Sequence, residues 1–163
     1  MARRRLVMTG AVALLSGCGF ELRRAPELAF RTIALTGFER YSPLAEELRM
    51  QLAASQTTAV VPAVAQAQVV MEALVDNRER SVVASTAAGE VRELQLRARL
   101  QFRLLTASGR ELISPTEILR TRDMSYRESQ ALAKEQEEEQ LFRIMQSDIV
   151  SQVMRRLAAV RSI

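Results

Sequence analysis

The alternation between Glu93 and Leu104 constrains the fold more than any other stretch of this chain. Leu94, Leu96, Ala98, Leu100, Phe102 and Leu104 share one parity, and Glu93, Gln95, Arg97, Arg99, Gln101 and Arg103 share the other. Successive side chains of a strand point to opposite faces. A run this regular demands a sheet with one dry face and one wet face, the pattern of antiparallel neighbours. Six apolar side chains in a row then need a second layer to cover them.

Two helices can supply that layer. Ser42 and Pro43 read as a helix start, with Ser42 as cap, Pro43 in the first turn, and Glu46 and Glu47 complementing the dipole. Leu44, Leu48 and Leu52 follow at i, i+4 and i+8, which predicts a helix to about Ala54. From Glu128 to Arg161 the period is again helical, with Phe142, Met145, Ile149, Val153, Leu157 and Val160 on one stripe. The acidic run from Glu135 to Glu139 in its first half reads as a solvated helix end.

The remaining strands are shorter signals. Thr32–Thr36 is closed by Gly37; Val69, Met71, Ala73 and Val75 alternate with Val70, Glu72, Leu74 and Asp76; Ile118–Tyr126 keeps Pro115 outside its interior. Asn77–Gly89 reads as a polar hairpin tip and Ala107–Arg110 as a turn. Gln56–Gln66 contains Pro62 and reads as a loop, in which Val60 and Val61 could extend a strand. The expected fold is α+β, in the order β-α-β-β-β-α. A parallel crossover leads into an antiparallel meander, giving one four-stranded mixed sheet with two helices packed on one face.

The chemistry available to such a domain is narrow. The 163 residues contain no His and a single Cys. His-based triads, His metal ligands, internal disulfides and Cys clusters are therefore excluded, and no cofactor or metal is expected. An envelope hydrolase would need an activated Ser or a carboxylate pair, and no G-x-S-x-G occurs. The chain reads as a non-enzyme.

Its basic balance belongs mostly to its beginning. Arg3, Arg4 and Arg5 precede the apolar run Leu6–Leu15, which ends in Ser16-Gly17-Cys18. This is the build of a secretory signal. Ten helical residues rise only about 15 Å, half a bilayer core. Removing residues 1–17 lowers the formal net charge from +4 to +1, which leaves no field for nucleic acid. Leu15-Ser16-Gly17-Cys18 is similar to a bacterial lipobox, so the Cys18 thiol is expected to carry a thioether-linked diacylglycerol; the alternative is an ordinary buried Cys. About three acyl chains would make the anchor effectively permanent. Gly19 in place of Asp favours the outer membrane. The expected organisation is a lipoprotein signal peptide over 1–17, a lipidated tether over 18–30 and a single α+β domain over 31–163.

The uncovered sheet face is expected to be rich in Arg, with Arg97, Arg99 and Arg103 on one strand and Arg120 and Arg122 on its neighbour. Such a face is either simply solvated or docks into a polar concavity such as the lumen of an outer-membrane β-barrel.

Several short motifs, in order and spacing, carry a resemblance. Leu15-Ser-Gly-Cys-Gly-Phe-Glu-Leu-Arg23, Ser42-Pro-Leu-Ala, Gln130-Ala-Leu-Ala-Lys-Glu-Gln-Glu137 and Gln152-Val-Met-Arg-Arg-Leu157 resemble the LPS-assembly lipoprotein LptE (RlpB) family. The resemblance implies two helices on a four-stranded mixed sheet. It also implies a one-to-one partnership with the β-barrel LptD, which such proteins plug and help to assemble, and binding of lipopolysaccharide in transit. It places one lipid-contacting basic residue at Lys134, whose ammonium suits a phosphate; the alternative is a helix-surface pair with Glu137 or Glu138. The tip Thr86–Gly89 lacks a second basic residue, which moves that role to Arg78, Arg80 or Arg92 nearby. The competing reading is an accessory lipoprotein of another envelope assembly or lipid-transport complex.

Overall fold

A computed structural model describes residues 27–55 and 57–163. The expected signal peptide and Cys18 lie outside the described residues. The fold is the α+β arrangement expected, with one more strand: β1 (Thr32–Thr36), α1 (Pro43–Ala54), β2 (Ala59–Val60), β3 (Val69–Ser85), β4 (Val91–Thr106), β5 (Glu111–Ser125) and α2 (Ala131–Ala158). The sheet order is β2-β1-β3-β4-β5. β1 pairs in parallel with both β2 and β3, and β3, β4 and β5 form an antiparallel meander. The added strand is two residues of the expected loop, drawn onto β1 by Val61 N–H donating to Ile33 C=O at 2.9 Å.

Both helices cover the leucine face of β4. All six residues of its apolar parity are buried, together with Ile33, Val69 and Met71 from the sheet, Leu48 and Leu52 from α1, and Met145, Ile149, Val153 and Leu157 from α2. Phe30 is buried in the same core, and Leu28 packs against it. The opposite face is covered only at one end, where Val61 and Ala67 pack on Ala34 and Val70 as a small second cluster.

Three boundaries differ from the sequence reading. β3 does not stop before a polar tip but continues to Ser85, and its 17 residues span roughly 55 Å. Pairing with β4 over its whole length supplies the hydrogen bonds that its polar composition conceals. β5 begins at Glu111 and contains Pro115, which is tolerated because β5 is an edge strand and its register shifts there: Phe102 pairs with Thr116, Leu104 with Ile113. A 3₁₀ turn over Glu128–Gln130 precedes α2, so the 28-residue helix starts at Ala131, and it ends at Ala158.

The deciding irregularity is a bulge in β3. Ala73 pairs with Phe102 and Val75 with Gln101, which leaves Leu74 as an extra residue. The parity of β3 flips there. Before the bulge Val69, Met71 and Ala73 face the helices; after it Asp76, Arg78 and Arg80 do, opposite Leu100, Ala98 and Leu96. Val75, read as an inward residue, is turned to the open face opposite Gln101. Gly37 makes the bulge possible. Its φ is +77°, and a Cβ there would lie 2.1 Å from the Ala73 carbonyl oxygen.

Candidate functional site

Three places hold the residues of interest. The first is a polar junction between the bulge and the helices. Ser42, the α1 cap, accepts from Ala45 N–H at 3.1 Å and donates to Asp76 Oδ2 at 2.5 Å. Gln146 on α2 donates to Pro43 C=O at 3.1 Å and to Glu47 Oε2 at 2.6 Å, and accepts from Arg78 at 2.5 Å. Ser147 donates to Glu47 Oε1 at 2.7 Å. The Arg78 guanidinium also lies over the Phe142 ring, 5.3 Å from its centroid, and 3.9 Å from Glu139. One network thus ties the start of α1, the outer half of β3 and the middle of α2.

The second place is the open sheet face. Register puts Arg97, Arg99 and Arg103 there, among Glu72, Glu79, Glu93, Glu117 and Asp123. Arg103 grips Glu72 with Nε at 2.7 Å and Nη2 at 2.6 Å. Arg99 sits between Glu79 and Glu117, each at 3.9 Å, and Arg97 donates Nε–H to Gln95 at 2.8 Å. Gln95 in turn donates to Asp123 at 2.9 Å. The face is therefore a cross-strand ladder in which carboxylates outnumber arginines, not the basic surface that reading β4 alone suggests. Arg120 and Arg122 do not belong to it. They pair with Ala98 and Leu96, so they share the helix-covered side, and Arg120 donates to the Leu119 carbonyl at 2.8 Å. The expectation that they extend the open face fails because β5 is one residue out of phase with that assignment.

The third place is the end formed by the β3–β4 turn, the end of β5 and the start of α2. A hollow of about 720 Å³ lies there, lined by Glu90, Val91, Arg92, Tyr126, Arg127 and Glu128 among others. Each expected lipid-contacting cation other than Arg78 is near this end, and each is already paired. Arg92 meets Glu90 at 2.8 Å, Arg80 meets Glu138 at 3.2 Å, and Lys134 meets Glu137 at 2.8 Å and Ser125 Oγ at 3.2 Å. Arg78 lies in the polar junction, away from the hollow. The acidic run of α2 is thus less a free solvated end than a set of partners: Glu137, Glu138 and Glu139 each hold a cation. Sequence reasoning missed Arg127, Tyr126 and Gln146. Only the register of β5 and the exit angle of its chain bring the first two beside Arg92, and neither is written in a local motif.

Comparison with known proteins agrees with this geometry. The LptE family, described as lipopolysaccharide-assembly, matches residues 30–157. The solution structure of lipoprotein B from Nitrosomonas europaea is 31% identical, with a TM-score of 0.72 over 86% of this chain and 91% of that one. Two crystal structures share the fold at lower identity. Rare lipoprotein B from Shewanella oneidensis is 23% identical, with a TM-score of 0.66 over 79% of this chain and 95% of that one. A minor lipoprotein from Acinetobacter baumannii is 19% identical, with a TM-score of 0.65 over 82% and 94%. No curated protein sequence matches the chain. The family match covers most of the chain and nearly all of the packed domain, so the chain belongs to the LptE family of lipopolysaccharide-assembly proteins.

Proposed function

We propose that this protein is a lipid-anchored, non-enzymatic component of the outer membrane that seats inside the LptD β-barrel, helps that barrel to assemble, and contacts lipopolysaccharide on its way to the cell surface. The family match is the observation that carries this reading. The open sheet face supports it physically. A ladder of paired charges needs no dry cover and can trade partners with the polar wall of a barrel lumen. Arg97, Arg99 and Arg103 are the proposed contacts with the barrel; Arg120 and Arg122 would reach it only from the other side of the sheet.

Lipid contact is proposed at the hollow near the hairpin turn, where Arg92 and Arg127 flank Tyr126 and Lys134 lies on the adjoining helix turn. A phosphate arriving there must displace Glu90 or Glu137 from its cation. Anchoring is proposed through acylation of Cys18. Among the described residues no helix is long and apolar enough to cross a membrane.

Affinity purification of the tagged mature protein from envelope extract tests the reading. LptD in the eluate supports it, and recovery of a different envelope complex in its place overturns it. Cys18→Ala should leave a folded domain that is lost from the membrane fraction; unchanged acyl labelling in that variant would remove the anchor from the proposal.

A further inference from the structure

The charge of the domain is distributed unevenly along its long axis. Around the hairpin turn and the start of α2, cations are matched or outnumbered by Glu90, Glu93, Glu128, Glu135, Glu137 and Glu138. At the opposite end Glu27 and Glu111 are outnumbered by arginines. Arg31 precedes β1, Arg110 closes the β4–β5 turn, Arg155 and Arg156 occupy the last turn of α2, and Arg161 follows it. All but the half-buried Arg156 are exposed, and among the described residues none of the five has a carboxylate within 4.0 Å.

Topology brings these arginines to one end. Ala107 N–H donates to Gln68 C=O at 3.1 Å, and Arg31 N–H donates to the Gln68 side chain at 2.7 Å, so the β4–β5 turn and the entry to β1 meet at the start of β3. α1 and α2 both run back toward that end from Pro43 and Gln146, which are bonded to one another. They have nearly equal lengths left, so the last turn of α2 lies level with the end of α1. Arg155 and Arg156 partly offset the negative end of the α2 dipole. Arg31, Arg110 and Arg161 lie outside the helix and have no such duty.

This is also the end where the described chain begins. Eight residues separate Cys18 from Glu27, and the nine steps between the two reach at most about 30 Å. The far hairpin turn is roughly 55 Å away along β3. An acylated Cys18 therefore holds the arginine end, and not the hairpin turn, at the bilayer.

We propose that, before the barrel takes up the domain, this arginine end is a docking surface for anionic phospholipid headgroups of the leaflet that carries the anchor, and that it stands the domain end-on with the hairpin turn pointing away. The acyl chains fix position, and the arginines fix orientation. The inference rests on acylation at Cys18. Guanidinium groups pair readily with phosphates, and a cluster of them beside a lipid anchor supplies the second signal typical of surface-bound proteins.

The test uses the full acylated protein in vesicles of phosphatidylcholine, with or without phosphatidylglycerol, and with a headgroup-level nitroxide quencher. A fluorophore is placed by Ser108→Cys at the arginine end, or by Ala88→Cys at the hairpin turn. Strong quenching at position 108 and none at 88 is expected in the anionic vesicles only. It should be lost when salt rises from about 0.1 M to about 1 M, which shortens the screening length from about 10 Å to about 3 Å. It should also be lost in the Arg31→Gln, Arg110→Gln, Arg155→Gln, Arg161→Gln variant, whose circular dichroism reports folding. The salt and lipid comparisons need no arginine variant. Equal quenching at 108 in both lipids, equal quenching at 108 and 88, or quenching that survives in the variant overturns the proposal. Failure of the anchor is read separately, as the absence of acyl mass on Cys18.

Discussion

The Ser42 hydroxyl both caps α1, by accepting from the Ala45 amide, and donates to the Asp76 carboxylate across the β3 bulge. One side chain thereby fixes where a helix begins and which phase of a strand lies beneath it. Removing the cap by Ser42→Ala should cost about 1–2 kcal/mol, and Asp76→Ala about 1.5–3 kcal/mol for the lost hydrogen bond to a charged group. The double variant should lose less than the sum, because both act through one bond. Urea unfolding of the three variants checks this; strict additivity would separate the two residues.

Gly37 is expected to be irreplaceable. A left-handed backbone at a residue with Cβ costs about 1–3 kcal/mol, and in Gly37→Ala the new carbon also strikes the Ala73 carbonyl. The thermal midpoint should fall by well over the change seen for Gly109→Ala. Gly109 also has positive φ, but nothing lies within 4 Å of its would-be Cβ.

Arg78 and Arg80 are two residues apart on one side of β3 and should behave differently. Arg78→Ala strips a partner from Gln146 and uncovers Phe142, so a loss of about 1–3 kcal/mol is expected. Arg80 is exposed where it meets the half-buried Glu138, and pairs at the surface contribute about 0–1 kcal/mol. Chemical denaturation of the two single variants should rank them in that order.

Charge reversal at Arg97 and Arg99 should weaken association with the barrel more than it lowers the melting temperature. The two side chains lie on the face of the sheet that no helix covers, and the Glu79 and Glu117 partners of Arg99 are exposed. Co-purification yield beside a melting curve separates the effects, and equal recovery of wild type and variant would take this face out of the interface.

Lys134→Asp should reduce lipopolysaccharide binding, and it sets the introduced carboxylate against Glu137 across one helix turn. The stability loss expected for that like-charge pair is small, about 0.2–0.5 kcal/mol. A binding titration unchanged by the substitution would return Lys134 to the helix surface as a partner of Glu137 and Ser125.

The parts legible in the sequence were those with a local physical cause. The leucine parity of β4 specified a half-buried strand, and the structure buries those six residues. Ser42-Pro43 and the leucines after it specified α1, and the long stripe from Phe142 to Leu157 specified α2. What could not be read was phase. Nothing around Leu74 marks it as an extra residue, since its neighbours alternate plausibly on either side, and the energy that selects the bulge comes from partners distant in sequence, on β4 and at Gly37. From that single uncertainty follow the misplacement of Val75 and the unforeseen packing of Arg78 against α2. Arg120 and Arg122 were misassigned for the same kind of reason, because strand parity on β5 is set by its pairing with β4 and not by its own composition.

The bulge also sets how this domain can change over time. Deleting Leu74 would remove the bulge and keep both phases, because Ala73 already faces the helices opposite Phe102 and Val75 the open side opposite Gln101; flattening the bulge with Leu74 retained would instead send Asp76, Arg78 and Arg80 outward and Val75, Asn77 and Glu79 against the helices. Lineages can therefore shed the extra residue, or lengthen or shorten the Thr86–Glu90 turn, with little penalty, whereas loss of one residue in the regular stretch from Asp76 to Val82 would turn every side chain beyond it to the other face and should be purged.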